Sequence, residues 1–157
     1  MTLIDFSQVL DRDLRRLVQE ISAYPEDALV WAELPGGVNP GGNLVQHLCG
    51  NLREFIGRIL CGIAYERDRP AEFAARAASR EELVRLVEET RALVIPALRA
   101  LDATVLGELY PQKVLGHEMT TGYFLIHLLG HFNYHLGQID VHRRQVTGHG
   151  AIGLVSA

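Results

Sequence analysis

The sequence predicts an all-α protein: a four-helix bundle with long connections, folded as a single domain over residues 1–157. Three observations carry this expectation. Apolar residues recur at spacings of three and four in four long stretches, each giving one apolar face. No stretch reads convincingly as a strand. Between the four lie connectors rich in Pro, Gly and charged residues. With 48% hydrophobic and 22% charged residues, the chain is too apolar for disorder. At its length, folding buries roughly 68–70% of the unfolded surface, so a core forms without covalent staples.

The first helix runs from about Asp5 to Tyr24, with Phe6, Val9, Leu10, Leu14, Leu17, Val18 and Ile21 on one face. Pro25 opens the connector PEDALVWAELPGGVNPGG, where Trp31 offers a large ring to cap the bundle. The second helix spans roughly Asn43 to Ala64 on a stripe of Leu44, Leu48, Phe55, Ile59 and Ile63, and ERDRPAEFAARAA follows it. Ser79 caps the third helix, with Glu82 as its capping-box partner. Leu83, Leu86, Val87, Leu93 and Val94 carry this helix to about Leu101, although Pro96 removes a hydrogen bond near its end. After a connector near Asp102 to Met119, Thr120 or Thr121 caps the last helix, which reaches about Thr147 before Gly148 stops it.

The connectors hold about 13 to 18 residues, where bundle turns usually take 2–8. Such lengths can run the bundle and join parallel neighbours, so simple up-down-up-down order is not implied. Gly50 and Gly57, and likewise Gly130 and Gly137, stand nearly two turns apart. Each pair marks a stripe of close approach, within the bundle or across a dimer.

Charge and cysteine usage narrow the setting. Fifteen Lys and Arg against 19 Asp and Glu give a net charge of −4, which argues against a nucleic-acid binder. There is no long uncharged apolar run for a membrane span and no basic leader ahead of an apolar segment. Cys49 and Cys61 on one unbroken helix would lie roughly 18 Å apart along its axis, beyond disulfide reach. Reduced thiols suit a reducing compartment, and a cytoplasmic protein is expected.

The histidines carry the chemistry. In HLLGHFNYHLGQIDVHRR, His127, His131 and His135 follow one another at spacings of four. Neighbours at that spacing can converge on one metal, but His127 and His135 are about 12 Å apart along the axis. One pair must therefore serve, and a third ligand must come from elsewhere. His47, in NLVQHLCGNLREF, lies at the edge of the second helix's apolar stripe and is the obvious candidate. Three neutral imidazoles would leave an open position for water or substrate. Other schemes are missing: no HExxH zincin motif, no paired Glu-x-x-His, no CxxC, no GxSxG and no phosphate-binding GxxxxGK[ST] loop.

The segment HFNYHLGQIDVHRRQVTG resembles the closing helix of the DinB/YfiT-like family, with an H-x-x-x-H pair, a Gln three residues on, and then basic residues. GGNLVQHLCGNLREFI resembles the family's second helix, which supplies one more histidine. The resemblance implies metal ligands His47, His131 and His135, the match of Gln138 preferring this pair over His127 with His131. It also implies a bundle of unusual connectivity, a homodimer, and a divalent metal such as nickel or zinc. Relatives of assigned activity use low-molecular-weight thiols.

The expected function is therefore a metal-dependent enzyme that transfers a thiol to a small electrophile. The alternatives are a metal-dependent hydrolase or isomerase, and a non-catalytic metal- or ligand-binding dimeric module. Asn51 and Gln138, one turn from His47 and His135, are candidates to support the ligands from behind, as is the extra His127. Arg143 and Arg144 are candidates to receive a substrate carboxylate, or else simply complement the helix dipole. Tyr134 can line a pocket.

Overall fold

A computed structural model describes residues 2–36 and 39–153. Six α-helices form: α1 (Leu3–Ser22), α2 (Asp27–Val30), α3 (Gly41–Leu52), α4 (Arg69–Ala74), α5 (Arg80–Ala100) and α6 (Thr121–Thr147). A π-helical segment, Arg53–Leu60, continues α3, and a 3₁₀ turn, Ala103–Gly107, follows α5. Among the described residues there are two isolated β-bridges and no strand.

Local signals start and stop the long helices. Thr2 with Asp5, and Ser79 with Glu82, form reciprocal capping boxes that satisfy backbone N–H groups otherwise left without partners. The Thr120 side chain accepts from the Tyr123 N–H at the start of α6, and Gly148, at φ 72°, ends it in the left-handed conformation. Pro96 is accommodated: α5 runs on past it to Ala100, on a solvent-exposed face. The second long rod differs from expectation. It stops at Leu60, and its last eight residues wind as a π-helix in which the Cys61 N–H reaches back to the Ile56 carbonyl at 2.9 Å.

The four long helices pack in a ring in which α1 touches α5 and α6, and α3 touches α5 and α6. Cross-helix bonds fix their directions. Arg91 on α5 meets Asp11 on α1, while Arg99 meets Ser7, so these two run antiparallel. Asn133 and Arg143 on α6 meet Asp13 and Glu20 on α1, so these run parallel. Phe55 faces Phe124 while His47 faces His131, so α3 and its extension oppose α6. The order is up-down-down-up. The long connector between α3 and α5 therefore returns the chain between parallel neighbours, and the other two cross the bundle's diagonals.

One continuous core fills the ring, with Phe6, Leu14, Leu17, Leu48, Ile56, Val87, Leu98, Phe132 and Ile139 almost wholly buried. Each connector adds a small anchor. Trp31 packs over Gly42 and its indole N–H donates to the Ala78 carbonyl at 3.0 Å. Tyr110 lies 4.1 Å, ring to ring, from Phe124 and donates to the Phe55 carbonyl. Cys49 is a buried free thiol and Cys61 a half-buried one; burial pushes the Cys49 thiol up to about 12, which makes it an inert part of the core.

Candidate metal centre

His47 projects from α3, two turns after its start, and His131 and His135 project from the middle of the facing α6. Their ligating nitrogens all lie within 4.8 Å of one another. The Nε2 atoms of His47 and His131 are 3.4 Å apart, and those of His135 and His131 are 3.2 Å apart. Two nitrogens each 2.0–2.1 Å from a tetrahedral zinc stand about 3.3–3.4 Å apart. The donor set fits a metal ion.

The tautomers agree with that geometry. His47 Nδ1–H donates to Glu72 Oε2 at 2.9 Å, and His135 Nδ1–H donates to Gln138 Oε1 at 2.7 Å. In both rings the proton is thus held on Nδ1, and the bare Nε2 lone pair points inward. Burial, reinforced by the neighbouring His135 and His47, depresses His131 to about 4. Burial also lowers His47, outweighing the opposing pull of Glu72. Both rings are neutral at pH 7, the form a metal requires.

Glu72 is the residue that sequence reasoning missed. It sits in α4, inside what reads as a polar connector, and is 6% exposed. Arg67 grips it with two bonds of 2.6 and 2.8 Å. Arg67 Nη2 also lies 3.4 Å from His47 Nδ1, and the Phe73 ring centre lies 5.0 Å from that of His47. Two sequence signals mark this element. Asp68 caps α4, accepting from the Ala71 N–H, and Pro70 occupies its first turn. Gly50, one turn below His47, has no Cβ because one there would lie 2.0 Å from Glu72 Oε1.

The remaining candidates separate. Asn51, 6% exposed, donates from Nδ2 to His47 Nε2 at 2.9 Å, at the very lone pair that faces the other histidines. His127 is exposed and stays outside the trio, stacked 6.3 Å from Phe124. Tyr134 is exposed, with its ring edge-on to His135.

Arg143 departs from the carboxylate-receiving expectation. It is 1% exposed, bonded to Glu20 Oε2 at 2.6 Å and Asp140 Oδ1 at 3.1 Å, and donates to the Gly150 carbonyl. Its fork is already filled by groups of this chain. Arg144 is half-exposed beside Asp140 at 3.5 Å.

The glycine stripes also divide. Gly57 meets Leu93 as a close contact, whereas Gly130 and Gly137 face open space in the single chain. His142, which carried no expectation, is fully buried: Nδ1 accepts from the Tyr24 hydroxyl at 2.7 Å and Nε2–H donates to the Ala32 carbonyl at 2.8 Å.

Residues 9–139 match the family model described as the DinB superfamily. A solved DinB-like protein from Bacillus cereus ATCC 10987 superposes with a TM-score of 0.76, covering 96% of this chain and 98% of that one. Identity is 18%, so the likeness bears on the fold. Among proteins with curated descriptions, none matches the sequence.

Proposed function

The chain belongs to the DinB superfamily, and on that premise we propose that it is a metal-dependent enzyme which holds one divalent ion through Nε2 of His47, His131 and His135 and joins a low-molecular-weight thiol to a small electrophile. The observation that carries the reading is the convergence of three imidazole nitrogens, two of the three pairs at zinc-like spacing. Nitrogen-only donors suit nickel and zinc.

An ion held by three neutral ligands keeps its full charge and favours the thiolate form of a bound thiol at neutral pH. The chain's own groups do the rest. Glu72 holds His47 in one orientation and one tautomer, and Gln138 does the same for His135. Arg67 neutralises Glu72, so the buried carboxylate is paired. Asn51 must leave the His47 lone pair once that pair is taken. Its buried Nδ2–H groups then need another acceptor, and the thiolate sulfur or the electrophile's oxygen answers that need. Phe73 packs against the His47 ring.

The same reading includes a homodimer and a reducing, cytoplasmic setting. Ile126, Gly130, Tyr134, Gly137 and Val141 line the outer face of α6, and its three large apolar side chains are 49–65% exposed. Two free thiols support a reducing compartment. Among the described residues, no helix is long and apolar enough to cross a membrane.

Elemental mass spectrometry on untagged protein tests the centre. About one nickel or zinc per chain, lost in His135→Ala, is the expected result; metal-free protein after reconstitution overturns the reading. A thiol-transfer assay with small electrophiles then separates turnover from mere metal storage.

A further inference from the structure

The connector ahead of α6 closes as a small hairpin. Tyr110 N–H donates to the Met119 carbonyl at 2.9 Å, Thr121 N–H to the Glu108 carbonyl at 2.8 Å, and Val114 and His117 exchange two bonds of 3.0 Å. Its two-residue tip is Leu115–Gly116, with φ values of 52° and 82°. A tip with both φ positive ordinarily takes Asn or Asp followed by Gly, because a larger side chain clashes with its own backbone there. Here the first position is a leucine, and it is 80% exposed. An apolar side chain is thus held in a strained backbone and presented to solvent, and both features cost stability.

Beside this tip an open hollow of about 500 Å³ lies against the first two turns of α6. Val114, Leu115, Met119 and Tyr123 give it apolar walls, and His117 and His127 give it polar edges. Its volume suits a small organic ligand. His127 stands at the end nearest the metal centre: it is one turn from His131, about 6 Å along the axis. Its imidazole is steadied against Phe124, which Phe55 and Tyr110 pack in turn.

Resting on the metal and thiol reading above, we infer that this hollow is the substrate groove, and that it takes an aryl group whose reacting atom lies at the three-histidine centre. Tyr123 and His127 offer flat π surfaces, and Met119 offers a polarisable sulfur, all suited to an aromatic ring. The groove's one acidic side chain, Glu118, stands 3.6 Å from Lys113, so a neutral ring meets no unpaired charge. The exposed Leu115 is the side chain that a bound ring would cover, which accounts for a leucine in a position it ordinarily avoids.

The test uses the full chain with added zinc, followed by amide NMR during titration with phenylmethanethiol or 2-mercaptoethanol. Both thiols are expected to move signals beside the histidine trio, at Asn51 and Gln138. Only the aryl thiol moves Leu115, Gly116, Tyr123 and His127. Leu115→Asp, which tolerates the left-handed backbone, weakens the aryl thiol roughly tenfold by removing apolar contact and leaves 2-mercaptoethanol unchanged. An aryl thiol that moves only the trio's neighbours overturns the groove, as does a Leu115→Asp protein that binds both thiols like the parent. Groove signals that move while the trio's neighbours stay still for both thiols overturn the placement of the reacting atom at the centre, and with it the thiol reading.

Discussion

At the scale of single residues, the proposed metal centre depends on a glycine as much as on its histidines. A Cβ at position 50 would collide with Glu72 Oε1, which fixes the His47 ring. Gly50→Ala should therefore behave against helix propensity, where Ala is favoured by ~1 kcal/mol. Loss of an outer carboxylate typically costs 10–100-fold in metal affinity. Gly50→Ala and Glu72→Ala are both expected to weaken zinc by about that factor, while Glu72→Gln, which keeps an acceptor for His47 Nδ1–H, loses less. Competition with a chromophoric chelator measures all three; a Gly50→Ala protein with parental affinity would show that Glu72 moves aside at no cost. Helical spacing put His131 on one face with both His127 and His135, and it was the family resemblance, through Gln138, that picked the pair the structure brings together with His47. Glu72 was not visible in the sequence, because its burial comes from a six-residue helix that only tertiary packing makes significant.

His142 gives a second prediction at this scale. Its ring is buried between Tyr24 and the Ala32 carbonyl, and burial lowers its pKa below 6.5. Between the folded and unfolded values the unfolded chain binds the extra proton. The stability tied to this ring is therefore complete above about pH 6.5 and drains away as pH falls toward the folded value. Imidazole NMR titration should place the His142 midpoint below 6.5, and His142→Gln should flatten part of the acid slope of unfolding. A midpoint at or above 6.5 contradicts the neutral, hydrogen-bonded ring.

At the scale of elements, the starts of α5 and α6 and the stop of α6 followed from capping chemistry that the sequence displays, whereas the short helices α2 and α4 lay unread inside connectors and the second rod diverged. Its apolar stripe continues past Leu60, but periodicity cannot distinguish α from π winding over eight residues. The pairing of α6 with α1 was equally hidden. Arg143 reads as a surface cation near a helix end, yet it bonds Glu20 across the two parallel helices with both side chains almost wholly buried. Removing one partner of a buried pair leaves the other charge uncompensated, at a cost of about 3–5 kcal/mol. Arg143→Ala is expected to lose that much in denaturant unfolding while still binding one metal per chain if it folds. Arg144→Ala, half-exposed, should change stability little. Preserved stability in Arg143→Ala, with impaired substrate binding, would restore the substrate-binding role to this arginine.

At the scale of the whole molecule, the long connectors forecast a departure from up-down-up-down order, and the up-down-down-up ring is the form it takes. Which helices became neighbours lay in side chains such as Asp11, Asp13, Arg91 and Asn133, whose partners no local pattern announces. The outer face of α6 follows the same logic one level higher. Ile126, Tyr134 and Val141 lie exposed along it, and a Cβ at Gly130 or Gly137 would meet nothing within 4 Å among the described residues beyond the helix itself. Two glycines in the middle of a helix cost stability, at ~1 kcal/mol each against Ala. A second copy packed closely there would recover that cost, since small residues let two backbones approach. A two-fold axis makes one such face its own complement. The three histidines all come from one chain, although Tyr134 on this face lies edge-on to His135. Ile126→Glu combined with Val141→Glu is therefore expected to convert a dimer to a monomer in analytical ultracentrifugation while leaving metal at one per chain. A parent protein that sediments as a monomer at micromolar concentration, or a double variant that stays dimeric, removes this face from the assembly.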